Sequence, residues 1–177
     1  MRASEPRSGA PASRTAGILT GSDRETQLLG MLAGELARAG DVLALSGPLG
    51  AGKTCLVQGV ARGLDILEPV PSPTFNLLLV HNGRLPLYHF DLYRLDRADQ
   101  LEDLDFYAAL EAGGVSVIEW ADRFPAELPD DRLDIEIEPV SESARRLAII
   151  PRGDRASAFA DDLGRAWKLA AGEAGGD

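Results

Sequence analysis

Eight consecutive residues, Gly47 to Thr54 (GPLGAGKT), have the types and spacing that bind phosphate and magnesium. They match the pattern G-x-x-x-x-G-K-[ST] at every fixed position. The glycines allow the backbone to curl until several N–H groups converge on an anion at the start of a helix. Lys53 can then reach the β- and γ-phosphates, and the Thr54 hydroxyl can bind Mg²⁺. An ordinary glycine-rich turn is the alternative, but the apolar run before the loop and the helical pattern after it favour a site for a nucleoside triphosphate.

Two carboxylates at the ends of apolar runs are candidates for hydrolytic chemistry. Glu119 follows the run 115–118, and Asp91 follows the run 87–90. Hydrolysis of a bound triphosphate needs an acid near the metal and a group that orients water. Either residue could instead be a solvated surface carboxylate, as most are. Because a phosphate-binding loop is present, we predict a functional role for both, with Glu119 as the metal acid beside Thr54.

The segment Ser72-Pro73-Thr74-Phe75 follows a proline-rich connection in which prolines stand at 69, 71 and 73. Its hydroxyls could be ordered by Mg²⁺ or phosphate and released on hydrolysis, as in a switch. A rigid proline turn before a strand is the alternative.

Four further side chains have mainly structural interpretations from sequence. His89 is expected to be a packed strand histidine, and His81 has no obvious partner. Arg94 could pair with a carboxylate or stabilise phosphate charge, and we expect the first. Trp120 could stack on a nucleotide base or fill the core beside the site.

The elements that must position these residues alternate between strands and helices. Ser22 and Glu25 form a capping-box pattern that opens a helix, with an apolar face of Leu28, Leu29, Leu32 and Leu36, ending at Gly40. Asn82-Gly83 indicates a hairpin between two apolar runs. Strands are predicted at 17–20, 41–46, 76–80, 85–90, 115–118, 132–138 and 146–150, and helices at 53–62, in the second half of 99–112, and at 155–170. The fold class is therefore α/β, a three-layer P-loop NTPase-like fold with a mixed, mainly parallel central sheet.

The composition limits the classes of partner. The chain has 18 Lys and Arg residues and 28 Asp and Glu residues, which gives a formal net charge of −10. A protein that binds nucleic acid without a partner is normally basic, so this charge argues against that class. No apolar run approaches the length of a membrane span, and residues 1–15 lack the apolar core of a secretory signal. With one cysteine, these features suit a cytoplasmic protein. We expect one P-loop domain at 17–170, between disordered tails at 1–16 and 171–177.

Four motifs together resemble the TsaE family, the small bacterial ATPase of tRNA threonylcarbamoyladenosine (t6A) modification. They are the loop 47–54, Ser72 to Phe75, His89 to Leu95 and Ile118 to Asp122, in the order and spacing of that family. The likeness covers about residues 17–150. It implies that the chain binds and hydrolyses ATP with Mg²⁺ while docked to TsaB and TsaD, resetting that complex between rounds, and that it reaches tRNA only through the complex.

The resemblance also implies roles for individual residues. Thr54 and Glu119 would bind the metal, Asp91 would be needed for hydrolysis, and residues 72–75 would be the switch. Nucleotide contacts would come from Leu49, Gly50, Ala51, Gly52, Lys53, Thr54, Cys55 and Trp120. We expect turnover to be slow without partners. A P-loop small-molecule kinase that uses Asp91 as its base is the alternative function, although the acidic segment 96–111 is a poor phosphate-clamping lid.

Overall fold

A seven-stranded mixed sheet forms the centre of the computed structural model, which describes residues 17–173. In space the strands follow the order β1-β7-β6-β2-β5-β4-β3. The pairs β6–β2, β2–β5 and β5–β4 are parallel, whereas β1–β7, β7–β6 and β4–β3 are antiparallel. Five of these seven strands therefore point in one direction, and the predicted fold class is confirmed. The strands are β1 (Ile18–Thr20), β2 (Val42–Ser46), β3 (Leu78–His81), β4 (Leu87–Asp91), β5 (Val115–Glu119), β6 (Arg132–Pro139) and β7 (Arg145–Arg152).

Helices cover both faces of the sheet and give three layers. They are α1 (Asp23–Leu36), α2 (Lys53–Gly63), α3 (Phe106–Glu111) and α4 (Asp154–Glu173), with 3₁₀ helices at Ala98–Leu104, Ala121–Arg123 and Pro125–Glu127. Alternate residues of each strand enter opposite cores. Leu43 and Leu45 of β2 pack with α1, α2 and α4, whereas Val42 and Ala44 pack with α3 and the first 3₁₀ helix.

Helices α1 and α2 approach each other closely through glycines spaced four residues apart, Gly30 and Gly34 on α1 and Gly59 and Gly63 on α2. A Cβ added to Gly59 would lie 2.1 Å from the carbonyl oxygen of Gln27. The predicted leucine face of α1 is therefore only partly right. Leu29 is buried, but the other three leucines are half-buried, because the small residues carry the closest contact.

Several element boundaries differ from the sequence prediction. Ser22 caps α1 as predicted, since its Oγ accepts from the Glu25 N–H, but the Glu25 carboxylate accepts from the N–H of Gly21 and not from that of Ser22. The helix ends at Leu36, before Gly40. Helix α4 runs through Glu173, so the predicted C-terminal tail is wrong for 171–173. Its alanine-rich end simply continues the helical turn. The remainder of that tail and the N-terminal tail 1–16 lie outside the described residues.

None of the helices within residues 17–173 combines the length and apolar character that crossing a membrane requires.

Candidate nucleotide-binding site

The loop 47–52 joins the central strand β2 to α2 and places the first turn of α2 at the carboxyl edge of the sheet. Gly47, Gly50 and Gly52 all have positive φ values, of 142°, 75° and 103°. A Cβ on Gly47 would lie 2.3 Å from the carbonyl oxygen of Ile137, so this position excludes any side chain. No side chain caps the N-terminus of α2 within the described part of the chain. Its first N–H groups therefore remain available to an anion.

Lys53 lies against the loop that it belongs to. Its Nζ donates to the carbonyl oxygens of Gly47 at 2.7 Å and Pro48 at 2.9 Å. The same ammonium lies 3.8 Å from the centroid of the Trp120 ring, a cation–π contact. Burial lowers the pKa of Lys53 below its ordinary value, and the nearby carboxylates, Glu119 foremost, oppose that shift. The ammonium is thus held where phosphate oxygens would meet the loop.

Thr54 and Glu119 are in direct contact. Thr54 Oγ1 lies 2.9 Å from Glu119 Oε1 and 3.1 Å from Oε2. Glu119 ends β5, the strand beside β2, and its Cα is in register with Leu45. Its carboxylate is buried and also contacts His89 on β4, with His89 Nε2 at 2.8 Å from Oε1. One hydroxyl and one carboxylate, both hard oxygen ligands, therefore meet at the start of α2, as a Mg²⁺ site needs.

Asp91 ends β4 directly beside Glu119, because the two residues are in register across the parallel pair β4–β5. Its Oδ2 accepts from Thr74 Oγ1 at 2.8 Å and from Ser72 Oγ at 3.4 Å. Its Oδ1 accepts from the N–H of Tyr93 at 2.9 Å. The proposed switch segment is thus tied to a buried carboxylate at the site.

The aromatic residues divide between the pocket and its rim. Trp120 lies over Lys53 and packs against Tyr93, with ring centroids 4.8 Å apart. It also packs against the core beneath, so it covers the phosphate end of the site and not the far end. Phe75 is 84% exposed, and its ring lies 4.4 Å from the guanidinium carbon of Arg94. The expected pairing of Arg94 with a carboxylate is wrong, since the guanidinium stacks on this ring.

Arg145 closes the opposite end of the site. It is buried, and its Nη1 donates to the carbonyl oxygens of Glu142 and Ala144, each at 3.1 Å. Its Nη2 lies 3.8 Å from Asp23 Oδ1. Cys55 faces the same end, and burial, followed by the Asp23 charge, raises the pKa of its thiol. A raised pKa lowers the fraction of the reactive thiolate at neutral pH.

These groups surround one cavity of about 320 Å³. Its lining brings together almost every predicted site residue: Leu49, Gly50, Ala51, Gly52, Lys53, Thr54, Cys55, Ser72, Thr74, Asp91, Glu119 and Trp120, with Asp23, Tyr93 and Arg145 in addition. Pro73 and Phe75 of the predicted switch do not line it.

Sequence reasoning misses the role of His89 at this site. The prediction of a packed strand histidine is confirmed, because His89 is buried on β4. Its hydrogen bond to Glu119 is the part that the sequence does not predict. Its position two residues before Asp91, on the same face of β4, is the available signal.

Three other long-range contacts have no local signal in the sequence. Arg145 and Asp23 reach the cavity through packing of elements that lie far apart along the chain. His81, expected to lack a partner, pairs with Glu68, with Nδ1 and Oε1 2.9 Å apart.

Comparison with known proteins agrees with this geometry. A model of the family described as threonylcarbamoyl adenosine biosynthesis protein TsaE matches residues 20–147. The chain is 41% identical over 128 residues to the tRNA threonylcarbamoyladenosine biosynthesis protein TsaE of Treponema pallidum, covering 72% of this chain and 95% of that protein. It is 39% identical over 147 residues to the protein of the same name from Bacillus subtilis, covering 82% of this chain and 92% of the relative.

The fold is similar to a solved structure as well. The crystal structure of Bacillus subtilis YdiB gives a TM-score of 0.75 at 32% identity, and the match covers 89% of this chain and 99% of that one. The family match spans well over half of the chain, and the two relatives are matched over more than nine-tenths of their length. The chain therefore belongs to the TsaE family.

Proposed function

We propose that this protein binds ATP with Mg²⁺ and hydrolyses it. The observation that carries the proposal is the contact of Thr54 with Glu119 beside the glycine loop, 2.9 Å between Oγ1 and Oε1. This contact supports the proposal because it joins the helix turn after the glycine loop, which follows β2, to the carboxylate that ends the adjacent parallel strand β5. A glycine turn without this pairing would grip phosphate but could not hold the metal that phosphoryl chemistry requires.

The residues present fit Mg²⁺ and a triphosphate. Lys53 and the first N–H groups of α2 would bind the phosphates, and Thr54 and Glu119 would bind the metal. Within residues 17–173 no group of three or more His, Cys, Asp and Glu side chains is placed to hold a metal. This is the expected pattern for Mg²⁺, which uses one or two side chains together with phosphate oxygens. When bound, Mg²⁺ would neutralise the charge that develops on the transferred phosphoryl group.

Asp91 is assigned to the attacking water. Three hydrogen bonds fix its carboxylate at the sheet edge, and it makes no hydrogen bond to Thr54 or Glu119 among the described residues. A fixed carboxylate can hold a water molecule in one orientation. Because two of those bonds come from Ser72 and Thr74, the same carboxylate couples the switch segment to the nucleotide.

The cellular role follows from the family. The relatives carry the name of tRNA threonylcarbamoyladenosine biosynthesis proteins. We propose that this chain acts in the same cytoplasmic pathway, docked to TsaB and TsaD homologues, and that ATP hydrolysis resets their complex. The net charge of −10 supports action through protein partners, because a protein that holds tRNA directly is normally basic. Turnover by the isolated chain should be slow.

Two measurements test the proposal together. The first is a pull-down with the TsaB and TsaD homologues of the same organism, with and without ATP, in which association should depend on nucleotide. The second is release of phosphate from ATP by that complex. Lys53→Ala should abolish nucleotide binding, whereas Asp91→Ala and Glu119→Ala should retain some binding and lose turnover.

Other results would contradict the assignments. If both acid variants hydrolysed ATP at the wild-type rate in the complex, neither carboxylate would have its proposed role. If the purified protein transferred the γ-phosphate to a small metabolite faster than to water, the kinase alternative would replace the ATPase. The segment 96–111 argues against that alternative, because it is acidic and Leu101 and Phe106 pack it into the core.

A further inference from the structure

The contact between His89 and Glu119 lies entirely inside the protein. His89 is 0% exposed, and its Nε2 lies 2.8 Å from Glu119 Oε1. The two residues belong to adjacent parallel strands and project from the same face, since His89 stands two residues before Asp91, the register partner of Glu119. A buried polar side chain costs free energy unless it is hydrogen-bonded, so this bond is part of what keeps both groups in the core.

The direction of the bond follows from the chemistry of its two partners. An ionised carboxylate only accepts hydrogen bonds, so Nε2–H of His89 donates. The other ring nitrogen, Nδ1, is buried without a partner among the described residues. With the proton on Nε2, Nδ1 carries a lone pair and no proton, so the ring has no buried donor without a partner. The bond to Glu119 Oε1 is therefore the only side-chain hydrogen bond of the ring among the described residues.

Glu119 has a second donor, Thr54, which would itself bind the metal. The Thr54 hydroxyl has a single proton, and it lies within 3.1 Å of both carboxylate oxygens. A hydroxyl oxygen that binds Mg²⁺ keeps its proton, so Thr54 and His89 would both donate to the Glu119 carboxylate. The bond from His89 comes from a rigid strand and does not depend on the metal.

We propose that His89 is a positioning residue that fixes the Glu119 carboxylate for binding Mg²⁺ together with Thr54. This inference rests on the proposed Mg²⁺-dependent function. Hydrogen-bond partners of a metal ligand orient it, and their loss typically weakens metal binding about 10- to 100-fold.

The chain contains its own control, because its second histidine makes the same kind of pair elsewhere. His81 is also buried, bonded to Glu68 at 2.9 Å, and leaves one ring nitrogen unpaired within the described part of the chain. It ends β3 at the edge of the sheet and does not line the cavity. Its partner Glu68 is exposed, so a change at His81 reports what the loss of a buried histidine and its carboxylate bond does to the fold away from the cavity.

The test measures metal binding without turnover. A fluorescent ADP analogue (mant-ADP) is held at a fixed concentration with the full-length protein, and Mg²⁺ is titrated from an EDTA-buffered start. The half-saturating Mg²⁺ concentration should rise about 10- to 100-fold in His89→Asn, whose shorter amide does not reach Glu119. His89→Gln, whose amide N–H reaches the place of Nε2, should remain close to wild type, as should His81→Gln. Binding of mant-ADP without Mg²⁺ should be the same in all four proteins.

The outcomes separate the two proposals. If wild type binds mant-ADP with Mg²⁺ enhancement and His89→Asn keeps the same half-saturating concentration, the positioning role is wrong and the ATPase proposal stands. A wild-type protein that binds no nucleotide overturns both. If His89→Asn does not fold, it is replaced by His89→Leu, whose apolar side chain suits a buried site. The half-saturating Mg²⁺ concentration should rise in that variant as well.

If neither His89→Asn nor His89→Leu folds, NMR of the wild-type protein provides the test. In protein labelled with ¹⁵N-histidine, Mg²⁺ added to the ADP complex should shift the His89 ring resonances and leave those of His81 in place. Unchanged His89 resonances would overturn the inference.

Discussion

Replacing Gly59 with alanine should destabilise the protein, whereas the same substitution at Gly164 should stabilise it. Both glycines lie inside helices, α2 and α4. A Cβ at 59 would lie 2.1 Å from the Gln27 carbonyl oxygen and 2.9 Å from the Cα of Gly30, both backbone atoms of α1. A Cβ at 164 would meet nothing within 4 Å. The two variants therefore share their chemistry and differ only in the space available.

The expected magnitudes follow from these contacts. Alanine is favoured over glycine in a helix by about 0.8–1 kcal/mol, which should appear almost undiminished at Gly164. At Gly59 the same gain is opposed by overpacking, which costs about 1–3 kcal/mol and more where the neighbour cannot yield. Because the neighbour is helix backbone, we expect a net loss of about 2 kcal/mol. For a domain of this size that corresponds to a Tm lower by about 4–8 °C.

Urea unfolding followed by circular dichroism measures both free energies, and nucleotide affinity is measured on the same samples. Since α2 begins at Lys53, a displacement of this helix should also weaken binding of ADP in the Gly59 variant and not in the Gly164 variant. A Gly59→Ala protein as stable as the Gly164→Ala protein would refute the close contact of α1 with α2.

Three further predictions concern the cavity. In a Trp167→Phe protein the remaining tryptophan is Trp120, and its fluorescence should change on saturation with ADP, because the Lys53 ammonium over the ring would be drawn to phosphate. An unchanged signal would remove Trp120 from the site. Because its pKa is raised, the Cys55 thiol should react with iodoacetamide at about pH 8 more slowly than free cysteine, and the rate should increase with pH. ADP should slow the reaction further, and mass spectrometry measures its extent. Arg145→Ala should lower the free energy of unfolding in urea by about 1.5–3 kcal/mol, because part-buried carbonyl groups of the β6–β7 turn lose a charged donor. An unchanged value would contradict that role.

The parts of the site that could be predicted from sequence are those encoded locally. The glycine loop is contiguous, and Asp91 and Glu119 each follow an apolar run typical of a buried strand. Their meeting at one sheet edge follows from the parallel arrangement that strand–helix alternation implies. The glycine loop, Asp91 and Glu119 could therefore be identified without knowing the order of the strands in the sheet.

The parts that could not be predicted depend on register and on close approach. The bond of His89 to Glu119 exists because β4 and β5 are adjacent, and Arg145 reaches the loop because β7 turns back beside β6. The leucines of α1 predict its burial, although its closest contact uses glycines, which carry no hydrophobic signal. The four-residue spacing of Gly30 and Gly34 is the clue, since it places both on one helix face.

Three polar side chains of the cavity, unlike the N–H groups at the start of α2, which no described side chain caps, already have partners within the protein. Lys53 donates to two loop carbonyls, Thr54 contacts Glu119, and Thr74 contacts Asp91. Binding must therefore exchange these contacts for new ones, so only the difference between the two sets contributes to affinity. The internal bonds compete with the nucleotide, and the same groups return to them when the ligand leaves. Under the proposed function, such competition would favour release of the product, and so repeated cycles over tight storage of one nucleotide.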